Sequence, residues 1–240
     1  ERYKYTDMQK LFEPDYGLNL NRLEIPVNPY ETFKCDVPNL STSLYFVVND
    51  QFYSKALPKA KLNDGVIVDS LNRVATERPE LVAKYYGRLA NTEADAITAL
   101  NTMLAQDGLF IYVPKNVQLE RTIQVINILR SDVDLMVNRR VLIVLEEGAK
   151  AQFLFCDHAA DDRNFLATQV IEAYVGANAN LELNCLEETH AKNVRVSNVY
   201  IEQQRDSRAS HNVITLHNGV TRNMLDLVFK GEGSECFCNG

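Results

Sequence analysis

Clustered positive charge is missing from this sequence: Lys and Arg are scattered, Arg139-Arg140 is the only adjacent basic pair, and the formal net charge is −7. Such a surface matches a phosphate backbone poorly, which argues against nucleic acid as a partner. Long apolar runs are missing too. The longest, Leu44 to Val48 and Val141 to Leu145 among them, are five residues, against about 20 for a helix that spans a bilayer. Cysteine is sparse: Cys35, Cys156, Cys185, Cys236 and Cys238 form an odd set with no CxxC pair. That argues against a secreted disulfide scaffold and for a reducing compartment, taken here as the cytoplasm. No signal peptide is visible, although the chain begins at Glu1 rather than Met. GxSxG, GxxxxGKS/T and GxGxxG are all absent, and His190, His211 and His217 show neither HxH nor HxxxH spacing.

What is present is an ordinary soluble composition over 240 residues, 46% hydrophobic and 24% charged. A chain of this length buries about 70–75% of its unfolded surface and needs no disulfide or structural metal to hold together. Composition shifts near residue 107. Residues 1–106 carry six of seven prolines and eight of eleven tyrosines, while residues 107–240 carry one proline and seven of ten glycines. A boundary is expected there, between a mixed α/β amino-terminal region and a second, β-rich region.

In the first region Thr6-Asp7-Met8-Gln9 fits a capping box that opens a short helix through Phe12. Pro14, Pro26, Pro29 and Pro38 then keep the chain extended or turning. Leu44 to Val48 and Gly65 to Asp69 read as short strands bounded by Asn49-Asp50 and Asn63-Asp64-Gly65. Two helices follow. Pro79 suits a first helical position before Leu81, Val82, Tyr85 and Tyr86, and Thr92 with Asp95 caps a helix whose apolar stripe is Ile97, Leu100, Met103 and Leu104. Asp107-Gly108 stops it.

The second region repeats. Small or apolar residues just after polar turns, Val117, Ala149, Ala179, Ser207 and Ser234, are spaced 32, 30, 28 and 27 residues apart. A strand-like run precedes each turn: Phe110 to Val113, Val141 to Leu145, Ile171 to Val175, Val199 to Ile201 and Leu227 to Phe229. Residues after each turn alternate with period two, as in Ala149, Ala151, Phe153 and Phe155, then Ala179, Leu181, Leu183 and Cys185. A fixed unit that cannot bury its own apolar face must stack, so a parallel β-helix is expected, with Ala149 against Ala179. A propeller needs about 40 or more residues per blade, and a leucine-rich repeat needs a Leu and Asn frame that is absent. An antiparallel sandwich has strands every 8 to 12 residues or so without a longer beat.

Cys236-Phe237-Cys238 has the look of a soft-metal ligand pair. The repeat places Cys236 with Ala151 and Leu181, Cys238 with Phe153 and Leu183, and Cys185 with Phe155, which predicts three inward-facing, slowly reacting core thiols that bind no stoichiometric iron or zinc. Cys156 and His158 are two apart on a strand and out of phase with the inward set. A thiol beside an imidazole can become a nucleophile or ligand, but no third group is identifiable. They read as a surface pair, with Cys156 the first thiol to be labelled. Asp161-Asp162-Arg163 invites a polysaccharide lyase reading, yet calcium needs about six to eight oxygens, and a polar loop is expected between these repeats. Gly231-Glu232-Gly233 reads as a turn.

Ala99-Leu100-Asn101 with Gln106-Asp107-Gly108-Leu109-Phe110-Ile111-Tyr112-Val113-Pro114-Lys115 resembles the segment that opens the core of the SufB/SufD family, scaffolds of iron-sulfur cluster assembly. Gln203-Gln204-Arg205-Asp206-Ser207-Arg208 with Ser210-His211-Asn212 is similar to a turn of that family, as are Asn223 to Leu227 with Gly231-Glu232-Gly233-Ser234-Glu235. Arg2-Tyr3-Lys4-Tyr5-Thr6 resembles the opening of the SufD branch, and Thr122 departs from the family's usual proline. The resemblance implies a right-handed parallel β-helix without catalytic turnover. It also implies a SufB-like paralogue and a SufC-like ATPase as partners, and an iron-sulfur cluster held only transiently in the intact complex. Family members are longer, so the chain reads as trimmed inside its solenoid. The ATPase site would then fall outside it, and self-association is expected around Leu225, Leu227, Phe229 and Phe237. The family's late cysteine and histidine positions have no counterpart, so no catalytic, cofactor-binding or metal residue is carried over. Three other classes stay open on the residues alone: a carbohydrate-active β-helix enzyme, a metal-binding solenoid using Cys156 and His158, and a plain structural solenoid.

Overall fold

Alternation with period two and a turn at a fixed beat can be satisfied together by strands stacked in parallel, each coil covering the apolar row of the one before. The computed structural model describes residues 2–20, 29, 42–55, 57, 62–63 and 65–240. Pro26, Cys35, Pro38 and Asp64, to which the sequence assigns roles, lie outside the described residues.

Beyond residue 108 the chain is a succession of strands: β5 (Leu109–Val113), β6 (Ile123–Leu129), β7 (Leu135–Leu145), β8 (Lys150–Ala159), β9 (Phe165–Val175), β10 (Asn180–Glu188), β11 (Asn193–Gln203), β12 (Arg208–His217), β13 (Val220–Phe229) and β14 (Glu235–Asn239). Odd-numbered strands from β5 to β13 form one sheet and even-numbered strands from β6 to β14 the other, parallel throughout. The result is a parallel β-solenoid of about four turns, with 49% strand and 13% helix over the protein. Register offsets follow the sequence beat: Leu109 pairs with Val141, Leu135 with Phe165, Phe165 with Asn193 and Arg208 with Glu235. Ala149 and Ala179 occupy the expected adjacent positions, one residue before the Lys150–Asn180 pair, and the Asn180 N–H donates to the Ala149 carbonyl at 2.8 Å.

The turns show why the beat exists. Asn116, Gly148, Asn178, Asp206 and Gly233 all have φ between 56° and 72°. Each immediately precedes one of the five residues that mark the repeat. Left-handed backbone reverses the chain tightly, and Gly, Asn and Asp tolerate it best.

The amino-terminal region extends both sheets. β2 (Ser43–Val48) adds in parallel to β6 and carries β3 (Gln51–Phe52) as an antiparallel partner. β4 (Ile67–Ser70) pairs antiparallel with β5, and β1 (Gly17–Leu18) runs parallel to the start of β7. α1 (Met8–Phe12) is capped by Asp7, whose carboxylate accepts from the Lys10 N–H at 3.1 Å, rather than by Thr6. Three helices, not two, follow β4: α2 (Leu71–Glu77), α3 (Pro79–Ala83) and α4 (Ala96–Leu104). α2 begins where the Ser70 hydroxyl accepts from the Arg73 N–H, a cap hidden in the sequence by the preceding strand. Pro79 is at the first position of α3, and Asp95 alone caps α4.

The outer face of the odd-stranded sheet is covered by these helices. Leu71, Val74 and Val82 pack on Phe110, Leu142 and Val144. α4 turns Ile97, Thr98 and Asn101 inward and leaves Met103 73% exposed, which corrects the stripe expected from hydrophobicity alone. The reason is polar: the Asn101 amide donates to the Arg139 carbonyl and to Thr168 Oγ1, both at 3.0 Å. Farther along the same face Arg140 and Glu172 make a fully buried ion pair at 2.6 Å. The guanidinium stacks 4.5 Å from the Tyr86 ring, and the carboxylate accepts from the backbone N–H groups of Gly87, Leu89 and Ala90.

Candidate functional site

Inside the solenoid the inward rows are apolar toward the left-handed turns and polar toward the opposite corner. The apolar half stacks Ala151, Phe153 and Phe155 on Leu181, Leu183 and Cys185, facing Val141, Ile143, Ile171, Ala173 and Ile201. Two residues beyond Phe155 the same row continues as Asn127, Asp157, Glu187 and Thr215, in register on β6, β8, β10 and β12. Opposite it, Arg139, Gln169, Ser197 and Asn223 are in register on β7, β9, β11 and β13, with Arg195 two residues earlier on β11.

These groups meet. Asp157 accepts from Arg139 at 2.8 Å and lies 2.7 Å from Arg195 Nε, and Arg195 also pairs with Glu187. Glu187 takes further donors from Thr215 Oγ1 at 2.7 Å and Asn223 Nδ2 at 3.1 Å, and Arg139 Nε donates to the Asn49 carbonyl at 2.9 Å. All four charged side chains are buried, and two cations face two anions, so the enclosed charge cancels. Burial opposes ionisation of Asp157, but the Arg195 and Arg139 guanidinium groups outweigh it and hold its carboxyl below the ordinary carboxylate range. Paired and hydrogen-bonded charges of this kind are tolerated inside a protein; unpaired ones are not.

Cys185 and His211 border the network. Cys185 Sγ is 4.0 Å from His211 Nε2. Burial pushes the Cys185 thiol up to about 12, while burial and then Arg195 bring the His211 imidazole down to about 4. Both are neutral near pH 7, so the pair is not a thiolate–imidazolium nucleophile.

The outward pair of the sequence reading is placed differently. Cys156 is fully buried, not a surface thiol, because Phe46 of β2 with Ile126 and Ile128 forms a second apolar cluster over the outer face of β8. His158 is half-buried, and burial lowers its pKa against the opposing pull of Asp157 and Glu188. Asp157, between them, is the residue sequence reasoning passed over. Its phase with Ala151, Phe153 and Phe155, and Glu187 one coil later, are the signals that place it inside. Cys185 is core, as read from the repeat. Cys236 is only partly covered and Cys238 is exposed, since β14 has a strand neighbour on one side only among the described residues. Asp161 is tied to Arg130 at 3.0 Å and to the Ser131 N–H at 2.8 Å, and Asp162 to Lys192 at 2.8 Å, a ladder between stacked loops. Among the described residues no three His, Cys, Asp or Glu side chains cluster closely enough to hold a metal ion. Nor is any helix among them long and apolar enough to cross a membrane.

Residues 1–125 match the family model for the SufBD protein N-terminal region, and residues 127–240 match that for the SUF system FeS cluster assembly, SufBD core domain. Similar proteins include the iron-sulfur cluster assembly SufBD family protein ABCI8, chloroplastic, of Arabidopsis thaliana, 32% identical over 53% of this chain and 23% of that protein. The SufBD family protein slr0074 of Synechocystis is 32% identical over 55% of this chain and 28% of its own length. The iron-sulfur cluster assembly protein SufD of Bacillus subtilis is 33% identical over 50% of this chain and 27% of its own length. The aligned part thus spans about a quarter of each of these relatives.

Proposed function

We propose, because the chain belongs to the SufBD family of iron-sulfur cluster assembly proteins, that it is a non-catalytic scaffold unit of a SufBCD-type complex. Its partners in this reading are a SufB-like paralogue and a SufC-like ATPase, with the ATPase site elsewhere in the natural protein, and an iron-sulfur cluster is transient cargo. The observation that carries the proposal is the match of two SufBD family models, one over residues 1–125 and the other over residues 127–240. The interior supports it. The buried thiol and imidazole that lie side by side are both neutral, and the buried charges are spent on one another rather than aimed at a substrate. In this reading the protein works in a reducing compartment, which we take to be the cytoplasm, because its five cysteines form an odd, sparse set with no CxxC pair.

The test is co-expression of the natural protein that carries this sequence with the SufB-like and SufC-like proteins of the same organism. All three are expected to elute as one complex, with ATP hydrolysis confined to preparations that contain the ATPase. Separate elution of the three, or turnover by the scaffold alone, would overturn the reading.

A further inference from the structure

Arg139 reaches into the polar corner from β7 and donates from every nitrogen but one. Nε donates to the Asn49 carbonyl at 2.9 Å, and Nη1 to Asp157 Oδ1 at 2.8 Å. Asn49 is itself fixed in place: its side-chain nitrogen donates to the Arg130 carbonyl at 2.9 Å, and its side-chain oxygen accepts from the Arg130 N–H at 3.0 Å. The planar guanidinium is thus held at two points and cannot turn without breaking them. Its remaining nitrogen, Nη2, is buried and has no hydrogen-bond partner among the described residues. A charged donor in that position calls for an acceptor.

A cavity adjoins it inside the first coil, with Val47, Val141 and Phe155 on its apolar side and Arg139, Asn127 and Asp50 on its polar side. About 10 Å³ is open there to the centre of a water molecule, roughly the room that one water needs. Every residue of the wall is buried except Asp50, which is partly buried. Asn127 hydrogen-bonds the Asp157 carboxylate, which only accepts, so its amide nitrogen is the donor and its oxygen is left as an acceptor. Cavities that stay dry are apolar, and this one is not.

Charge decides what fits. Arg139 and Arg195 already balance Asp157 and Glu187, and the Asp50 carboxylate also attracts Arg139. An anion would add an uncompensated charge facing Asp50, and a cation would face the guanidinium; either is costly away from bulk water. An apolar guest would leave the charged donor unsatisfied, which costs more than immobilising a single water. We propose that this cavity is the binding site of one resident water molecule, which accepts from Arg139 Nη2 and donates to the oxygens of Asn127 and Asp50. The bridge completes the buried charge network and ties the Asn49-Asp50 turn to the first coil of the solenoid. It rests on these side chains and the cavity between them, and stands apart from the scaffold role.

The experiment is a high-resolution crystal structure of the unaltered protein, with a second crystal soaked in bromide. One water-sized density peak is expected at about 2.7–3.2 Å from Arg139 Nη2, with no bromide anomalous signal in the cavity. A well-ordered Arg139 without that peak, or bromide in its place, would overturn the proposal. Val47→Ile carries the test into solution, because its extra methyl group takes up the space of the water. Oxygen-17 magnetic relaxation dispersion should count one long-lived water fewer in this variant than in the unaltered protein, and an equal count would refute the site. The variant should also unfold about 2–4 °C lower, because the guanidinium loses its acceptor. Filling a dry cavity would instead raise the midpoint, so a rise counts against the proposal. If Val47→Ile does not fold, the crystals of the unaltered protein decide alone.

Discussion

An aspartate on the inside of a solenoid persists only where cations meet it, and Asp157 meets two, Arg139 and Arg195. Removing one member of such a buried group leaves an uncompensated charge and costs about 3–5 kcal/mol, while removing the whole group together is far milder. His211 sits at the edge of the same network, facing Arg195 from β11, Cys185 from β10 and its register partner Cys238 on β14. Its folded pKa of about 4 lies below the ordinary 6.5, so the unfolded chain binds a proton that the fold refuses. The stabilisation linked to His211 is therefore complete above about pH 6.5 and is lost progressively as the pH falls toward 4. Urea unfolding at pH 7.5 and pH 5 should show a drop in stability that is about 2 kcal/mol smaller in His211→Gln than in the unaltered protein. An equal drop in both would show that the imidazole is not the group responsible.

Among the elements, the left-handed turns set the period. Gly148 has φ of 69°, and a Cβ there would stand 2.4 Å from Asn116 Oδ1 of the preceding turn. Gly148→Ala should therefore lower stability by about 1–2 kcal/mol from backbone strain, plus a steric part. Asn116→Gly in the same chain removes only the steric part, so thermal unfolding of the double variant should recover some of the loss and not all. Full recovery would mean that the left-handed conformation costs alanine nothing here. These turns are also why the solenoid was legible in the sequence: the residues that mark the beat each follow a turn residue that tolerates positive φ, and alternation then assigns the inward rows correctly down to Cys185. What the beat does not report is what covers the outward rows. Cys156 reads as exposed because β2, which buries it, belongs to no repeat, and Met103 reads as buried because α4 docks through Asn101 and Thr98 instead. Cys238 keeps its inward phase but lacks a described strand on its far side.

At the scale of the molecule the amino-terminal region and the solenoid are joined by charge as well as by apolar contact. Arg2 lies 3.0 Å from Asp95 before α4 and 2.6 Å from Asp226 on β13, and the Tyr3 hydroxyl donates to Asp95 at 2.8 Å. The deeper tie is Glu172. Its carboxylate satisfies three backbone N–H groups between α3 and α4 as well as Arg140, and neither side chain of that ion pair is accessible to solvent. Replacing Glu172 by alanine leaves a buried guanidinium and three buried donors without an acceptor, a loss of about 3–5 kcal/mol from the ion pair alone. The loss is local to the docking of residues 79–107, because the inward rows of β7 and β9 do not use Glu172. Limited proteolysis followed by mass spectrometry should therefore cut Glu172→Ala between residues 79 and 107 at least tenfold faster than the unaltered protein, while β7, β9 and β11 stay protected. If both regions open together, the two behave as one cooperative unit and the ion pair stabilises the whole; if neither opens faster, the buried pair contributes no net docking energy and the apolar contacts of Leu71, Val74 and Val82 hold the helices unaided.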